Sequence, residues 1–352
     1  MKGRRVMGMK RWKLTLQVAA TYVGTVVGAG FATGKEIVQF FTQYGELGMV
    51  GILVSGLFFI WLGSKMMLLS HAIGASSYQQ LNTYLFGDVL GKAVNGVMIV
   101  ILFGVTSVML ASTGAIGKEQ FGLWPPVGMI FTIVLTYIFI AKGINGILMV
   151  NSLVVPMMLS FAFIIFVPNI SYFSLIQTKP DLTLVTQWKW AVSPFLYISL
   201  NLALAQAVLV PLGSSVKDRS VITKGAVIGG CVLTFMLVST HLALSNLPYS
   251  FQLDIPMSAV VKNISAWVNV LFTVVVLGEI FTTLIGNVFG IAKQLQSFLP
   301  LNDKQAFAFI ILACFIIGQF GYAQLLEFLY PIFGYIGLAF VWMLCIKKEK
   351  IS

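Results

Sequence analysis

Long apolar runs alternate with short polar segments along most of the chain. Most of the runs have about 20 residues or more, the length at which an α-helix crosses the hydrocarbon core of a membrane. A membrane β-barrel would instead show short segments of alternating polarity. We therefore predict an all-α polytopic membrane protein with about ten spans, at residues 14–43, 47–71, 89–116, 122–141, 144–167, 190–212, 220–246, 264–291, 305–320 and 323–346.

The first apolar run differs from the others because glycines and charges interrupt its middle. A glycine inside a helix costs about 1 kcal/mol relative to alanine, and a charge at the bilayer centre costs about 3 kcal/mol. As one straight helix, the run would also exceed a hydrocarbon core of about 30 Å. We therefore predict that this span is broken near Gly28–Gly30 and that the freed backbone groups face a protected cavity. The interrupted stretch reads Gly24-Thr-Val-Val-Gly28-Ala-Gly30-Phe-Ala-Thr-Gly34-Lys35-Glu36.

The chain divides into two similar halves, about 14–167 and 190–346, within a single domain that covers residues 1–352. Five spans in each half would invert the second half relative to the first, which is a recurring transporter architecture. Such a repeat requires the sixth span to be broken like the first. The polar residues of Ser199-Leu-Asn201-Leu-Ala203, shortly after Pro194, predict that break.

Composition excludes a water-soluble domain. Of the 352 residues, 58% are hydrophobic and 9% are charged, whereas a soluble domain has about 25% charged residues. The three cysteines, Cys231, Cys314 and Cys345, lie in apolar runs without the spacing of a disulfide framework or a metal site. The chain has no Walker motif and no nucleophile–base constellation, so we expect neither an enzyme nor a cofactor.

Lysine and arginine set the expected topology. With the amino terminus inside the cell, most of the 22 Lys and Arg residues fall at the cytoplasmic ends of spans, as the positive-inside rule requires. We therefore expect a multi-pass protein of the cell membrane with both termini in the cytoplasm and the lipid bilayer as its partner. The net charge of +11 has the same origin. Nucleic acid is not an expected partner, because the basic residues do not form a surface with stacking aromatics.

The run Val27-Gly-Ala-Gly-Phe-Ala-Thr-Gly-Lys-Glu36, the ten spans and the five-plus-five division resemble the amino acid–polyamine–organocation transporter superfamily with its LeuT-type fold. The run itself looks most like the YkvI-type bacterial membrane proteins. This resemblance covers nearly the whole chain, but it does not identify a substrate.

The resemblance assigns roles to residues of the first break. It implies that the backbone amides of Ala29 and Gly30 bind a substrate carboxylate, and that the carbonyl groups of Gly24 and Val27 hold sodium. The hydroxyl groups of the eighth-span pair Thr282-Thr283 would complete the sodium site. Two positions depart from the pattern. Phe31 stands where some relatives have a polar sodium ligand, so a second sodium site is not expected, and Asn201 and Ala203 stand where many have glycine.

Two acidic residues inside predicted spans are candidates for coupling. Glu279 lies three residues before Thr282, so the two share a helix face. An ionisable group at this depth is functional by default, as a proton carrier, a cation ligand or a structural partner. Glu36 is a candidate for coupling or gating, and its alternative location is the outer membrane interface.

The candidate residues therefore form two groups. Each has a structural alternative: glycines in a span permit close helix packing, and threonine hydroxyls often bond to carbonyls of their own helix. The substrate group comprises Gly28, Ala29, Gly30, Phe31, Tyr197, Ser199 and Asn201. The ion-binding or coupling group comprises Gly24, Val27, Glu36, Glu279, Thr282 and Thr283, with sodium possible at Gly24, Val27, Thr282 and Thr283.

The predicted function is secondary active transport of a small carboxylate-bearing solute, an amino acid or a close analogue, by alternating access. The coupling ion is left open between sodium and protons. The alternative is a membrane receptor that has the same fold and binds a ligand without transporting it.

Overall fold

The computed structural model describes residues 2–140, 144–170, 184–247, 255–262, 264–320 and 322–347. Within these ranges every regular element is helical. A 3-10 turn at Thr42–Tyr44 joins the third and fourth helices. The α-helices are α1 Lys2–Val26, α2 Ala29–Ala32, α3 Lys35–Phe40, α4 Glu46–Ile73, α5 Tyr78–Phe86, α6 Asp88–Phe121, α7 Pro125–Ile140, α8 Ile144–Asn169, α9 Leu184–Ser215, α10 Arg219–Ser245, α11 Pro256–Lys262, α12 Ala266–Phe298, α13 Asp303–Gly318 and α14 Tyr322–Ile346.

Seven of the described helices are long and apolar enough to cross a membrane. They lie within α4, α6, α8, α9, α10, α12 and α14, and α7 contributes a shorter apolar helix. The all-helical membrane architecture predicted from the apolar runs is therefore confirmed. The count of ten spans and the orientation of the termini stay predictions.

The predicted break in the first span is confirmed. α1 ends at Val26, the short α2 begins at Ala29, and α3 begins at Lys35. The second interruption, before α3, uses Gly34 with φ of 81°, a left-handed conformation that suits glycine. The first span is thus three helical pieces, with Gly30 inside the middle one.

The predicted break in the sixth span is wrong. α9 is one helix from Leu184 to Ser215 and continues across Ser199, Asn201 and Ala203. No glycine weakens this stretch, and the side-chain amide of Asn201 donates to the carbonyl oxygen of Tyr197, one turn earlier, at 2.9 Å. The polar group is therefore accommodated by its own helix and does not require unwinding.

Two connections that the sequence presents as polar contain short helices. Residues 76–91 include the amphipathic α5, and the segment before the eighth span includes α11. A short surface helix is expected in the second connection, but α11 is inside the protein. Its residues Pro256, Met257, Ser258 and Val261 are buried, and the backbone N–H of Met257 donates to the carbonyl of Thr33 at 3.0 Å. α11 thereby closes over the second interruption of the first span.

The long helices pack in reciprocal pairs. α1 contacts α10 while α4 contacts α9, and α8 contacts α1 while α14 contacts α9. α6 and α12 contact each other near the centre. An inverted five-plus-five repeat would produce these pairings. In such a repeat α1 corresponds to α9, α4 to α10 and α8 to α14, so the two contacts in each pair are equivalent. The repeat itself stays a prediction.

Glycines set how closely α1, α4 and α10 approach. The hydroxyl of Tyr22 donates to the carbonyl of Phe59 at 2.7 Å, and its ring fills the space that side chains at Gly63 and Gly229 would occupy. The Tyr22 side chain is fully buried. Close contact between these helices therefore requires that position 63 carry no side chain.

We expect the substitution Gly63→Ala to lower the free energy of unfolding by about 1–3 kcal/mol, the usual cost of overpacking a well-packed interior. The new methyl group would overlap the Tyr22 hydroxyl. Thermal unfolding of the purified protein in detergent measures the effect. Gly96→Ala is the matched control, since no atom lies within 4 Å of the added carbon. Equal melting temperatures for the two variants would contradict this packing.

Candidate binding site at the break in the first membrane span

The first interruption brings carbonyl groups of α1 against hydroxyl groups of α12. Thr282 Oγ1 donates to the carbonyl oxygen of Gly24 at 3.0 Å, and Thr283 Oγ1 donates to the carbonyl oxygen of Val27 at 2.6 Å. The hydroxyl of Thr282 is also 2.9 Å from the carbonyl of Glu279, in its own helix. The four residues that the resemblance assigns to sodium thus form one cluster. Its carbonyl and hydroxyl oxygens are the neutral ligands that suit a hard cation.

A residue of α8 that the sequence analysis did not select lies beside this cluster. Asn151 is 1% exposed, and a Cβ atom on Gly24 would overlap its side-chain oxygen. Neither polar atom of the Asn151 amide has a hydrogen-bond partner among the described residues. A buried polar group without a partner is costly. The Asn151 amide is thus a further polar group beside the carbonyl and hydroxyl oxygens of the cluster. An asparagine inside an apolar run was the available sequence signal.

The opposite side of the break carries a buried carboxyl group. Glu36, at the start of α3, is 4% exposed, so its carboxyl group is enclosed by the protein. Its Oε1 atom accepts a hydrogen bond from Asn201 Nδ2 at 3.2 Å, and the Tyr197 hydroxyl donates to the same carboxyl group. Its Oε2 atom lies 2.5 Å from where a Cβ on Gly30 would stand, and Tyr330 Cε2 lies 3.2 Å from that point.

These contacts divide the predicted substrate residues. Gly30, Tyr197 and Asn201 surround Glu36, because positions 197 and 201 are one turn apart on α9. Ser199 lies on another face, where its hydroxyl is 2.6 Å from the carbonyl of Gly334 and 2.9 Å from that of Leu196. The serine therefore joins α9 to α14 and does not contact Glu36.

The remaining residues of the break face other helices. A Cβ on Gly28 would lie 3.4 Å from Thr283 Oγ1, which places Gly28 on the side of the threonines. Phe31 is buried and lines a cavity between α2, α8, α10 and α12. Ala29 begins α2, so its backbone N–H belongs to the first turn, whose amides have no partner within the helix.

Glu279 lines the same small cavity as Phe31, together with Thr240. The cavity has a volume of about 20 Å³, enough for one water-sized occupant. Glu279 is 3% exposed, and its Oε2 atom has no hydrogen-bond partner among the described residues. The carboxyl group of Glu279 therefore faces the cavity, whereas the hydroxyl of Thr282 bonds to the carbonyl of Gly24, although the two residues share a helix face.

The buried charged residues near the break are acidic. The buried side chains of the described residues include the carboxyl groups of Glu36 and Glu279 but no lysine or arginine. An ion pair joins Arg11 and Asp218 at 2.7 Å, and Arg11 is largely exposed. The two sides of α2 thus each hold an acidic group that is surrounded by neutral residues.

Two further buried amides lie on α9 and α12. Neither polar atom of Gln206 has a hydrogen-bond partner among the described residues, and the same holds for Nδ2 of Asn287. Asn287 follows Thr283 by one turn on α12, so both lie on one face. Their sequence signal is a polar amide in a long apolar run, a feature that also serves hydrogen bonds between helices.

Solved structures with the same fold are transporters. The chain matches a substrate-bound Na⁺-coupled sialic acid symporter with a TM-score of 0.69 and 11% identity, over 94% of this chain and 78% of that one. It matches MhsT in complex with L-phenylalanine with a TM-score of 0.68 and 16% identity, over 93% and 87% of the two chains. These structures are LeuT-fold transporters, so the chain has the LeuT fold.

Relatives in sequence cover almost the whole chain. No family model matches it. The protein YyaD of Bacillus subtilis (strain 168) is 25% identical over 328 residues, covering 93% of this chain and 95% of its own. The membrane protein YkvI of the same organism is 46% identical over 332 residues, covering 94% of this chain and 95% of its own. Identity at this level over nearly the full length places the chain in the YkvI family of membrane proteins.

Proposed function

We propose that the protein is a sodium-coupled secondary transporter of a small carboxylate-bearing solute, an amino acid or a close analogue. The observation that carries the proposal is the cluster at the first break, where hydroxyls of Thr282 and Thr283 meet carbonyls of Gly24 and Val27. Broken helices that present carbonyl oxygens are a common ion site of secondary transporters. The fold shared with a Na⁺-coupled sialic acid symporter supports this reading.

The proposed solute site lies at the same break. By the resemblance, the backbone amides of Ala29 and Gly30 take the carboxylate of the solute, and Tyr197 and Asn201 line the site from α9. The fold shared with MhsT, solved in complex with L-phenylalanine, supports an amino acid as the solute. Movement of the short α2 and α3 pieces relative to α1 is the proposed basis of alternating access, because the regular helix ends at Val26 and again at Ala32.

Protons are the alternative coupling ion. Glu279 is buried next to the sodium cluster, and its Oε2 atom has no partner among the described residues. A carboxyl group in this position can bind and release a proton during the transport cycle. We favour sodium because the cluster offers four neutral oxygens in hydrogen-bond contact, whereas Glu279 offers a single group.

We expect the double substitution Thr282→Val, Thr283→Val to abolish sodium dependence, since it keeps the side-chain shape and removes both hydroxyl oxygens. The measurement is the sodium-induced thermal shift of purified protein, followed by sodium-stimulated uptake in proteoliposomes. Thr273→Val is the matched control, because the hydroxyl of Thr273 donates to Asn269 of its own helix at 2.9 Å. Sodium dependence that survives in the double variant would remove sodium from this cluster.

Imposed ion gradients separate the two coupling ions. We expect a sodium gradient to drive solute accumulation in wild type, and Glu279→Gln to leave that accumulation in place. If protons couple instead, a proton gradient drives uptake, and Glu279→Gln leaves only exchange without net accumulation. If neither gradient drives accumulation, coupled transport fails. Binding without counterflow exchange would then favour the receptor.

We expect Gly30→Val to abolish solute binding while the protein still inserts in the membrane. A side chain at this position would meet the Glu36 carboxyl group and the ring of Tyr330, and a β-branched residue restricts the backbone further. Binding is measured by thermal shift with an amino acid panel, and folding by size-exclusion chromatography. Gly96→Val is the control, since its surroundings are open. Normal affinity in Gly30→Val would exclude Gly30 from the site.

A further inference from the structure

The acidic side chain of Glu36 lies where a ligand at the break would have to make contact. The left-handed turn at Gly34 reverses the chain between α2 and α3, so the carboxyl group of α3 returns to the backbone of α2. Its Oε2 atom packs against Gly30, which has no side chain to separate the two. A ligand that reaches the backbone at Gly30 therefore meets a carboxyl group supplied by the protein.

The hydrogen bonds that Glu36 accepts come from neutral groups, the amide of Asn201 and the hydroxyl of Tyr197. Such donors orient the carboxyl group without supplying an opposite charge. An ionised group inside the membrane is stabilised by an opposite charge, and such groups mark substrate and ion pathways.

The aromatic residues beside Glu36 favour a ligand that carries a positive charge. Tyr330 on α14 reaches the Gly30 side of the carboxyl group. Tyr197 is held in place by edge contact with Phe41, at 4.9 Å between ring centroids, and with Phe59 at 5.9 Å. Two aromatic residues therefore lie beside the carboxyl group, and aromatic residues commonly line sites for organic cations.

A second buried acidic residue, Glu279, also lies close to the break. Glu279 is buried and lines a cavity together with Phe31 and Ala32 of α2. A purely anionic ligand at the break would approach two carboxyl groups without a buried lysine or arginine among the described residues. An anion alone is therefore disfavoured, whereas a ligand that brings its own positive charge is compatible with both acids.

We infer that the ligand carries a cationic amino group and that Glu36 receives it, through the carboxyl group that faces Gly30 between Tyr197 and Tyr330. This inference rests on the proposed function and narrows its solute to zwitterionic amino acids and analogues that keep the amino group. Asn201 holds the carboxylate in position from α9. A carboxylic acid without an amino group is excluded as the substrate.

Three sets of probes with matched carbon skeletons test the ligand class in wild type. They are L-leucine, 3-methylbutylamine and 4-methylpentanoate; L-phenylalanine, phenethylamine and 3-phenylpropanoate; and L-alanine, ethylamine and propanoate. Each is titrated against purified protein in sodium, with the thermal shift as readout. We expect stabilisation by at least one amine-bearing probe and by none of the three acids. An acid that stabilises as well as its amine-bearing counterpart would overturn the inference.

Variants locate the contact. We expect Glu36→Gln to weaken the amine-bearing probe about 30-fold or more, since a buried charge loses its partner, and Glu36→Asp to retain part of the affinity. Glu46→Gln, at the exposed start of α4, is the matched control. If Glu36→Gln fails to fold, the wild-type probe series and Glu36→Asp still decide. Unchanged affinity in Glu36→Gln or full loss in Glu46→Gln contradicts the assignment.

The two proposals fail in different ways. If a plain carboxylic acid binds and is taken up with sodium, transport stands and the role of Glu36 is wrong. If an amine-bearing probe binds through Glu36 but shows no counterflow exchange, the ligand class stands and transport is wrong. If no probe binds in sodium, both fail.

Discussion

The structure depends on how the carbonyl groups of the interrupted first span are satisfied inside a membrane. No water is available there to bond a free carbonyl, so an interruption persists only where another helix supplies donors. Thr282 and Thr283 of α12 supply them to Gly24 and Val27, and α11 supplies one at the second interruption through Met257. The placement of α12 and α11 against the first span is thus a consequence of the interruption.

The same constraint separates the two sides of α2. One side holds neutral oxygens from α1 and α12, with the unpartnered amide of Asn151 beside them. The other side holds the carboxyl group of Glu36 with its donors from α9. Because α2 is a single turn, the two sides are only a few residues apart. In the proposed transport cycle, movement of α2 would link the occupation of one side to the occupation of the other.

Some of the site could be predicted because its chemistry is local. The glycines around Gly28, the charge of Glu36 and the paired threonines at 282 and 283 are anomalies in an apolar chain, and each lies at or against the interruption of the first span. The sixth span shows the limit of such reasoning. Ser199, Asn201 and Ala203 suggested a break, yet α9 is continuous, because a polar side chain can bond to its own helix or to α14. Sequence cannot tell which partner a polar group will find.

The sequence by itself determined the membrane class, the helical architecture and the interruption of the first span, since these follow from apolar length, low charge and the backbone freedom of glycine. Tertiary structure alone decided which distant residues meet: Asn201 and Tyr330 at Glu36, and Asn151 at Gly24. It also decided that α11 is buried, although its connection reads as polar. The physical reason is that burial and hydrogen-bond partners depend on packing between helices far apart in the chain, and a single sequence carries no record of that packing.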